Sequence, residues 1–371
     1  MLAIWQTKKL GEVLKLEYGK PLLKSHRKNG GLYPVYGANG IKCFSDKFYC
    51  YRQSIIVGRK GSAGEINLTE EKFWPLDVTY FVTFDEKKYD LMFLYNLLDT
   101  LKLTKLAKGV KPGINRNDVY GIDVKIPPLP EQRRIVKILD EVFENTAKAK
   151  ANAEKNLQNA KELFESYLWG VFTDQGKGWE EKTLNEVADV EYGYTDKARS
   201  TGNYRYVRIT DTDENGFLTQ ENKLYIKSFK EKNKFILNQG DLLMARVGAS
   251  FGNVLFFESG EPAVFASYLI RIKFKEKIEN KLYWYFSKSK LYWDQVIKLS
   301  SGSAQPQFNG GALKQIVFSY PKSLPTQKSI VAELDALSAE TKKLEAIYKK
   351  KLADLEELKK SVLKKAFAGE L

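Results

Sequence analysis

Cationic and amide side chains placed beside glycine and proline are the residues of this chain best suited to chemistry. The run Ile55-Ile56-Val57-Gly58-Arg59-Lys60-Gly61-Ser62-Ala63-Gly64 ends an apolar stretch in an arginine-glycine turn, and Leu242-Leu243-Met244-Ala245-Arg246-Val247-Gly248-Ala249-Ser250-Phe251-Gly252 does the same. Downstream of each lies a loop containing glycine and proline, 108–116 in one case and 301–309 in the other. Arginine and lysine donate to guanine in a major groove, asparagine and glutamine pair bidentately with adenine, and all of them can hold a phosphate. The candidates for that chemistry are Arg59, Lys60, Lys108, Lys111, Asn115 and Arg116 in the first half of the chain. In the second half they are Arg199, Arg205, Arg246, Gln305, Gln307 and Asn309.

Other chemistries find little support. One histidine, His26, and two cysteines, Cys43 and Cys50, are too few for a structural zinc site without carboxylates, and they leave a single imidazole for any serine or cysteine nucleophile. No Gly-x4-Gly-Lys-[Ser/Thr] loop occurs; Gly170 and Gly176-Lys177 are one residue too far apart, and Gly178 stands where a hydroxyl is needed. A DNA-methylating enzyme would carry an Asn/Asp-Pro-Pro-aromatic motif, and Ile126-Pro127-Pro128-Leu129 lacks its polar and aromatic members. The chain therefore reads as non-catalytic, with no cofactor and no metal of its own. Tyr33, Tyr36, Phe44, Phe48, Tyr49 and Tyr51 could stack on unpaired bases, but core packing is the usual fate of such residues.

The net charge of +14 sits mainly in two segments, with +8 in residues 1–130 and +4 in 171–325. An excess of this kind suits a polyanion, because lysine and arginine displace counterions from phosphates. No run of about 18 apolar residues is present and the N-terminus has no basic segment followed by a long apolar one, so a cytoplasmic, non-membrane protein is expected.

The elements that must position these loops form one unit used twice. Leu129-Pro130-Glu131-Gln132-Arg133-Arg134-Ile135-Val136 returns as Leu324-Pro325-Thr326-Gln327-Lys328-Ser329-Ile330-Val331, and Leu10-Gly11-Glu12-Val13 with Glu17-Tyr18-Gly19 returns as Leu184-Asn185-Glu186-Val187 with Glu191-Tyr192-Gly193. Four segments follow: globular domains at 1–128 and 173–323, and long helices at 129–172 and 324–371. Short strands and helices without regular alternation make each globular segment α+β. Strands at Val78–Phe84 and Ser267–Phe274 precede helices at about Leu91–Ala107 and Lys281–Leu299.

Both long segments carry an apolar heptad stripe. Its seam residues are Ile135, Leu139, Val142 and Leu163 in the first, and Ile330, Leu334, Leu337, Leu344, Leu355 and Leu358 in the second, with polar Asn156 and Lys351 at positions that can fix register. A helix of about 40 residues is roughly 60 Å long, more than one small domain can cover. The economical arrangement is an intramolecular antiparallel coiled coil relating the halves by a pseudo-two-fold axis; a homodimeric coiled coil is the alternative.

The two basic domains, the paired Leu-Pro-x-Gln-x-x-Ile-Val helices and Tyr33-Pro34-Val35-Tyr36-Gly37-Ala38-Asn39-Gly40-Ile41 together resemble the specificity subunit of a type I restriction-modification system. The resemblance spans the chain; in the second half Tyr204-Arg205-Tyr206-Val207-Arg208-Ile209 replaces the Tyr-Pro-Val-Tyr-Gly phrase. It implies that each globular segment is a target-recognition domain reading half of a bipartite duplex DNA site, with the helices as ruler and docking platform. It also implies two methyltransferase subunits using S-adenosylmethionine, and two restriction subunits using ATP and Mg that can join them. A coiled-coil adaptor with protein- or RNA-binding domains, and an unfamiliar DNA-modifying enzyme, are the competing readings.

Overall fold

The strands that carry the arginine turns are short continuous apolar runs, buried on both faces. A computed structural model describes residues 5–213, 215–227, 234–300 and 307–371. The chain divides into two units, Met1–Glu154 with Lys350–Leu371, and Lys155–Lys349. The first unit runs β1 (Gln6–Lys9), α1 (Leu10–Val13), β2 (Leu14–Tyr18), β3 (Tyr33–Gly37), β4 (Gly40–Ser45), β5 (Ile55–Gly58), β6 (Ile66–Leu68), β7 (Trp74–Pro75), β8 (Thr79–Phe84), α2 (Leu91–Leu101), α3 (Arg116–Tyr120) and β9 (Asp123–Ile126), then enters α4 (Leu129–Thr173). An antiparallel sheet has the order β2-β8-β5-β6, a second the order β4-β3-β7 with β3 and β7 parallel, and β1 pairs with β9. All four residues of β5 are buried. Ile55 and Val57 enter the main core with Leu16, Val82 and Phe93, while Ile56 packs with Tyr36 and Phe73. Successive side chains of a strand point to opposite faces, so β5 walls off one core from the other and its end is held rigidly.

The second unit repeats this plan with β10 (Trp179–Thr183), α5 (Leu184–Val187), β11 (Ala188–Tyr192), β12 (Tyr204–Val207), β13 (Tyr225–Ile226), β14 (Leu242–Ala245), β15 (Val254–Phe256), β16 (Ala263–Phe265), β17 (Leu269–Phe274), α6 (Asn280–Phe286), α7 (Lys290–Leu299), α8 (Gly310–Leu313), β18 (Val317–Pro321) and the start of α9 (Leu324–Ala368). Its sheets, β11-β17-β14-β15, β13-β12-β16 and β10-β18, match those of the first unit strand for strand, including one parallel pair, β12 with β16. The wall is again the strand before the arginine turn: Leu242 and Met244 face one core, Leu243 and Ala245 the other. The single helix expected over Lys281–Leu299 is two. Ser287 and Ser289 interrupt it, each hydroxyl donating to a carbonyl three residues back, and Ser289 also caps α7 by accepting from the Tyr292 N–H. Serine competes with the backbone in this way and favours helix ends.

α4 and α9 run antiparallel in both units. In the first, Arg134 donates to the Leu371 carbonyl at 2.7 Å and Lys150 pairs with Glu356 at 2.8 Å; in the second, Tyr167 donates to Glu333 at 2.8 Å. Ile135, Leu139 and Leu334 are buried, and Val142, Ile330, Leu337 and Leu355 are half-buried. The heptad assignment fails farther along, where Leu163 is 53%, Leu344 36% and Leu358 48% exposed. Asn156 and Lys351 are exposed as well, so neither is a buried register residue. An α-helix drifts about 20° per heptad against a strict seven-residue repeat. Toward the end of each helix the inward face accordingly moves one residue on, to half-buried Phe164 and buried Leu168 in α4 and to half-buried Leu352 and buried Ala366 in α9. No helix among the described residues is long and apolar enough to cross a membrane.

Candidate nucleic-acid interface

In the first unit the loop pair singled out above closes on itself. Lys60 and Lys108 each form a β-bridge with Gly113, the Gly61 N–H donates to the Pro112 carbonyl at 2.9 Å, and the Ile114 N–H to the Arg59 carbonyl at 3.0 Å. Asn115 caps α3, its side-chain oxygen accepting from the Asn117 N–H at 2.9 Å, which leaves its amide donors free of that bond. Arg116, the first helical residue, thereby comes to lie 5.1 Å above the ring of Tyr18, and Arg59 lies 5.4 Å from the same ring. Arg59 also donates through Nε and Nη2 to the Asp77 carbonyl at 3.0 and 2.6 Å. Lys60 and Lys111 are exposed, and exposed Lys108 pairs with Asp118 at 3.2 Å.

The second unit builds the same arrangement from different residues. Val247 forms a β-bridge with Gln307, and the Phe308 N–H donates to the Arg246 carbonyl at 2.9 Å. Asn309 caps α8 by accepting from the Ala312 N–H at 3.0 Å, and the Gly310 N–H donates to the Tyr192 hydroxyl at 2.9 Å. The Arg246 guanidinium lies 5.4 Å from the Tyr192 ring and 5.6 Å from that of Tyr268. Gln307 and Asn309 are exposed; Gln305 lies outside the described residues.

Two of the twelve candidates stand apart. Arg199 is exposed, but its backbone pairs with Tyr225 beside β13, so it belongs to the smaller sheet. Arg205, expected from the sequence to contact DNA, does not reach the surface. It is fully buried on β12, donates to the Thr219 carbonyl and lies 3.6 Å from Glu261, so it holds loops together and cannot meet a ligand. Burial would raise the Glu261 carboxyl, but Lys223, Tyr225 and Arg205 hold it below the usual range. A charge enclosed in this way is retained only with such partners.

The tyrosine platforms were not identified from sequence. Tyr18 and Tyr192 occur in the repeated Glu-Tyr-Gly phrase, and its recurrence together with the arginine turns was the available signal. The glycine of that phrase is explained by crowding. A Cβ on Gly19 would sit 2.1 Å from the Leu76 carbonyl oxygen, and one on Gly193 2.2 Å from that of Ala266, so only glycine lets the strand end this close to its neighbour. Of the aromatic residues weighed for base stacking, Tyr36 is buried against Phe73, and Tyr33 packs edge-on against Phe48 at 5.0 Å. Among the described residues no group of three or more His, Cys, Asp or Glu is placed to hold a metal.

This repeated, cation-bearing surface agrees with what the chain resembles. The model of the type I restriction modification DNA specificity domain matches residues 4–158 and again 176–356. The chain belongs to that family. It is 25% identical to the type I restriction enzyme MjaVIII specificity subunit of Methanocaldococcus jannaschii, over 99% of this chain and 93% of that protein. It is 26% identical to the type I restriction enzyme EcoKI specificity subunit of Escherichia coli (strain K12), over 67% of this chain and 58% of the relative. Two solved structures share the fold at 19% identity. One is a chain from a structure of complex assembly and conformational transition of the type I R-M system, with a TM-score of 0.77 and coverage of 99% and 98%. The other is the HsdS subunit of Thermoanaerobacter tengcongensis, with a TM-score of 0.64 and coverage of 99% and 97%. The two matches of the specificity-domain model fall on the two halves of the internal repeat. The chain is thus a non-catalytic DNA-specificity subunit, and neither the adaptor nor the enzyme reading finds support.

Proposed function

We propose that each unit reads one half of a bipartite duplex DNA site through the loop pair around its tyrosine-arginine stack. Phosphate contacts from Lys60, Lys108 and Lys111 position the first unit, while side chains beside the stacks read base edges in the major groove. The observation that carries this reading is the recurrence of one construction with different side chains: Arg59 and Arg116 on Tyr18, Arg246 on Tyr192 and Tyr268. A common frame with unlike contents suits two different half-sites. The continuous helices α4 and α9 set the number of unread base pairs between them.

In the same reading the repeated frame offers one docking surface twice, to two methyltransferase subunits. S-adenosylmethionine, and the ATP and Mg used by two further restriction subunits, belong to those partners, and the assembly works in the cytoplasm. The methyltransferase, not this chain, flips the target adenine.

The test is to map methylated adenines in DNA from cells carrying this chain and its methyltransferase. A split motif with a fixed unread spacer is expected. A continuous motif, or equal affinity of the purified complex for unrelated duplexes at moderate salt, would refute the two-reader proposal.

A further inference from the structure

We infer that Arg246 reads a guanine in the half-site met by the second unit, with Tyr192 and Tyr268 holding its guanidinium plane in place. The inference rests on the DNA-reading function proposed above and narrows it to one side chain and one base.

Arg246 is clamped at both ends. Its backbone N–H donates to the Tyr268 carbonyl at 3.1 Å and its carbonyl accepts from Phe308, tying the end of β14 to both neighbouring loops. Its guanidinium lies against two rings that are 43% and 52% exposed, so the stack is on the surface. Tyr192 is itself fixed by the bond from Gly310 at the start of α8.

Among the described residues the donors of Arg246 are uncommitted. No hydrogen bond or ion pair reaches its guanidinium among the described residues, and its Nε is buried without a partner. In the same unit Arg205, Arg208 and Arg271 each face a carboxylate: Glu261 at 3.6 Å, Asp211 at 2.7 Å, and Glu191 at 2.5 Å. With Nε enclosed, the two terminal nitrogens form the fork that a ligand meets. A planar fork matches guanine O6 and N7 bidentately, and stacking on aromatic faces prevents it from tilting. A phosphate needs no such fixed plane. In the first unit the corresponding Arg59 has two donors on the Asp77 carbonyl and shares Tyr18 with Arg116, so the two readers are chemically unlike.

The experiment compares methylation motifs written by the wild-type complex and by complexes carrying Arg246→Lys or Arg246→Ala. The expected wild-type motif has a guanine at a defined position of one half-site. With Arg246→Lys, discrimination at that position falls by roughly 5- to 150-fold, while the other positions and the other half-site are unchanged. Independently of folding, 7-deazaguanine at that position, which lacks N7, weakens wild-type binding and leaves Arg246→Ala binding unaffected. An unchanged motif written more weakly at every site would mean a phosphate contact and would overturn the assignment, as would indifference of the wild-type complex to 7-deazaguanine. Absence of any split wild-type motif refutes the DNA-reading proposal itself, whereas a split motif unmoved by Arg246→Ala refutes only the role of Arg246.

Discussion

The side-chain oxygen of Gln132 accepts a hydrogen bond from the backbone N–H of Asp90 at 2.9 Å, joining the first turn of α4 to the N-cap of α2. The amide nitrogen of Gln132 donates to the carbonyls of Pro127 and Lys88 at 2.9 and 3.0 Å, and the residue is fully buried. Gln327 repeats the construction in the second unit, accepting from the Glu279 N–H and donating to the Pro321 carbonyl, both at 2.7 Å. The glutamine of each Leu-Pro-x-Gln phrase is therefore a bolt between a long helix and the globular part of its own unit.

Replacing Gln132 by leucine keeps the volume but leaves the half-buried Asp90 N–H and the carbonyls of Pro127 and Lys88 without this partner. A loss of about 1–3 kcal/mol is expected for each such group that water cannot reach. Gln327→Leu has the same expected effect, and because the two residues share no partner the losses add in the double variant. Urea denaturation of the two single variants and the double variant checks this.

The shifted helix face gives a second comparison. Leu168 is 2% exposed in the core of the second unit, whereas Leu163, five residues earlier and on the heptad stripe, is 53% exposed. Leu168→Ala is expected to cost about 2–5 kcal/mol and Leu163→Ala less than about 1 kcal/mol. Equal losses in thermal denaturation would restore the strict heptad assignment.

These particulars show what the sequence discloses. The repeat and the antiparallel helices were legible because the same residue types recur in one register over long stretches, and Pro127, Pro128 and Pro130 mark the entry to α4. The bend of the seam away from Leu163, Leu344 and Leu358 was not, since it accumulates from a small angular mismatch and leaves no local mark. Arg205 misled because its strand neighbours Tyr204, Tyr206 and Val207 look like an ordinary strand, and its partners Thr219 and Glu261 arrive from other loops. Tyr18 and Tyr192 were visible only as repeated letters. Their arginine partners lie far along the chain, and the contact exists only once β2 and β11 have paired with β8 and β17.

Lys288 gives a pH dependence. It sits at the break between α6 and α7, 5.0 Å over the Trp284 ring, in a cavity of about 490 Å³ also lined by Lys161, Glu165, Lys342, Glu345 and Lys349. Burial pushes its ammonium down to about 8, against the opposing pull of Asp213 and with a smaller push from Lys342. Between about pH 8 and the ordinary value of 10.5 the unfolded chain holds this proton and the folded chain does not, so stability gains from this group as pH rises through that window. The expected size is on the order of 3 kcal/mol. Lys288→Met should stabilise the second unit at pH 7 and flatten this rise, as read by tryptophan fluorescence during urea unfolding at pH 7, 9 and 10.

The paired helices offer the most direct test of two readers on one repeated frame. Lys150 and Glu356 face one another, so seven residues inserted beside each of them lengthen both rods at one level, by roughly 10 Å. The turn this adds to the seam is about 20°. Methylated adenines mapped in cells carrying this variant and the methyltransferase should lie in the same two half-sites with a longer unread spacer between them. Methylation at the original spacing by the intact complex would contradict the proposal.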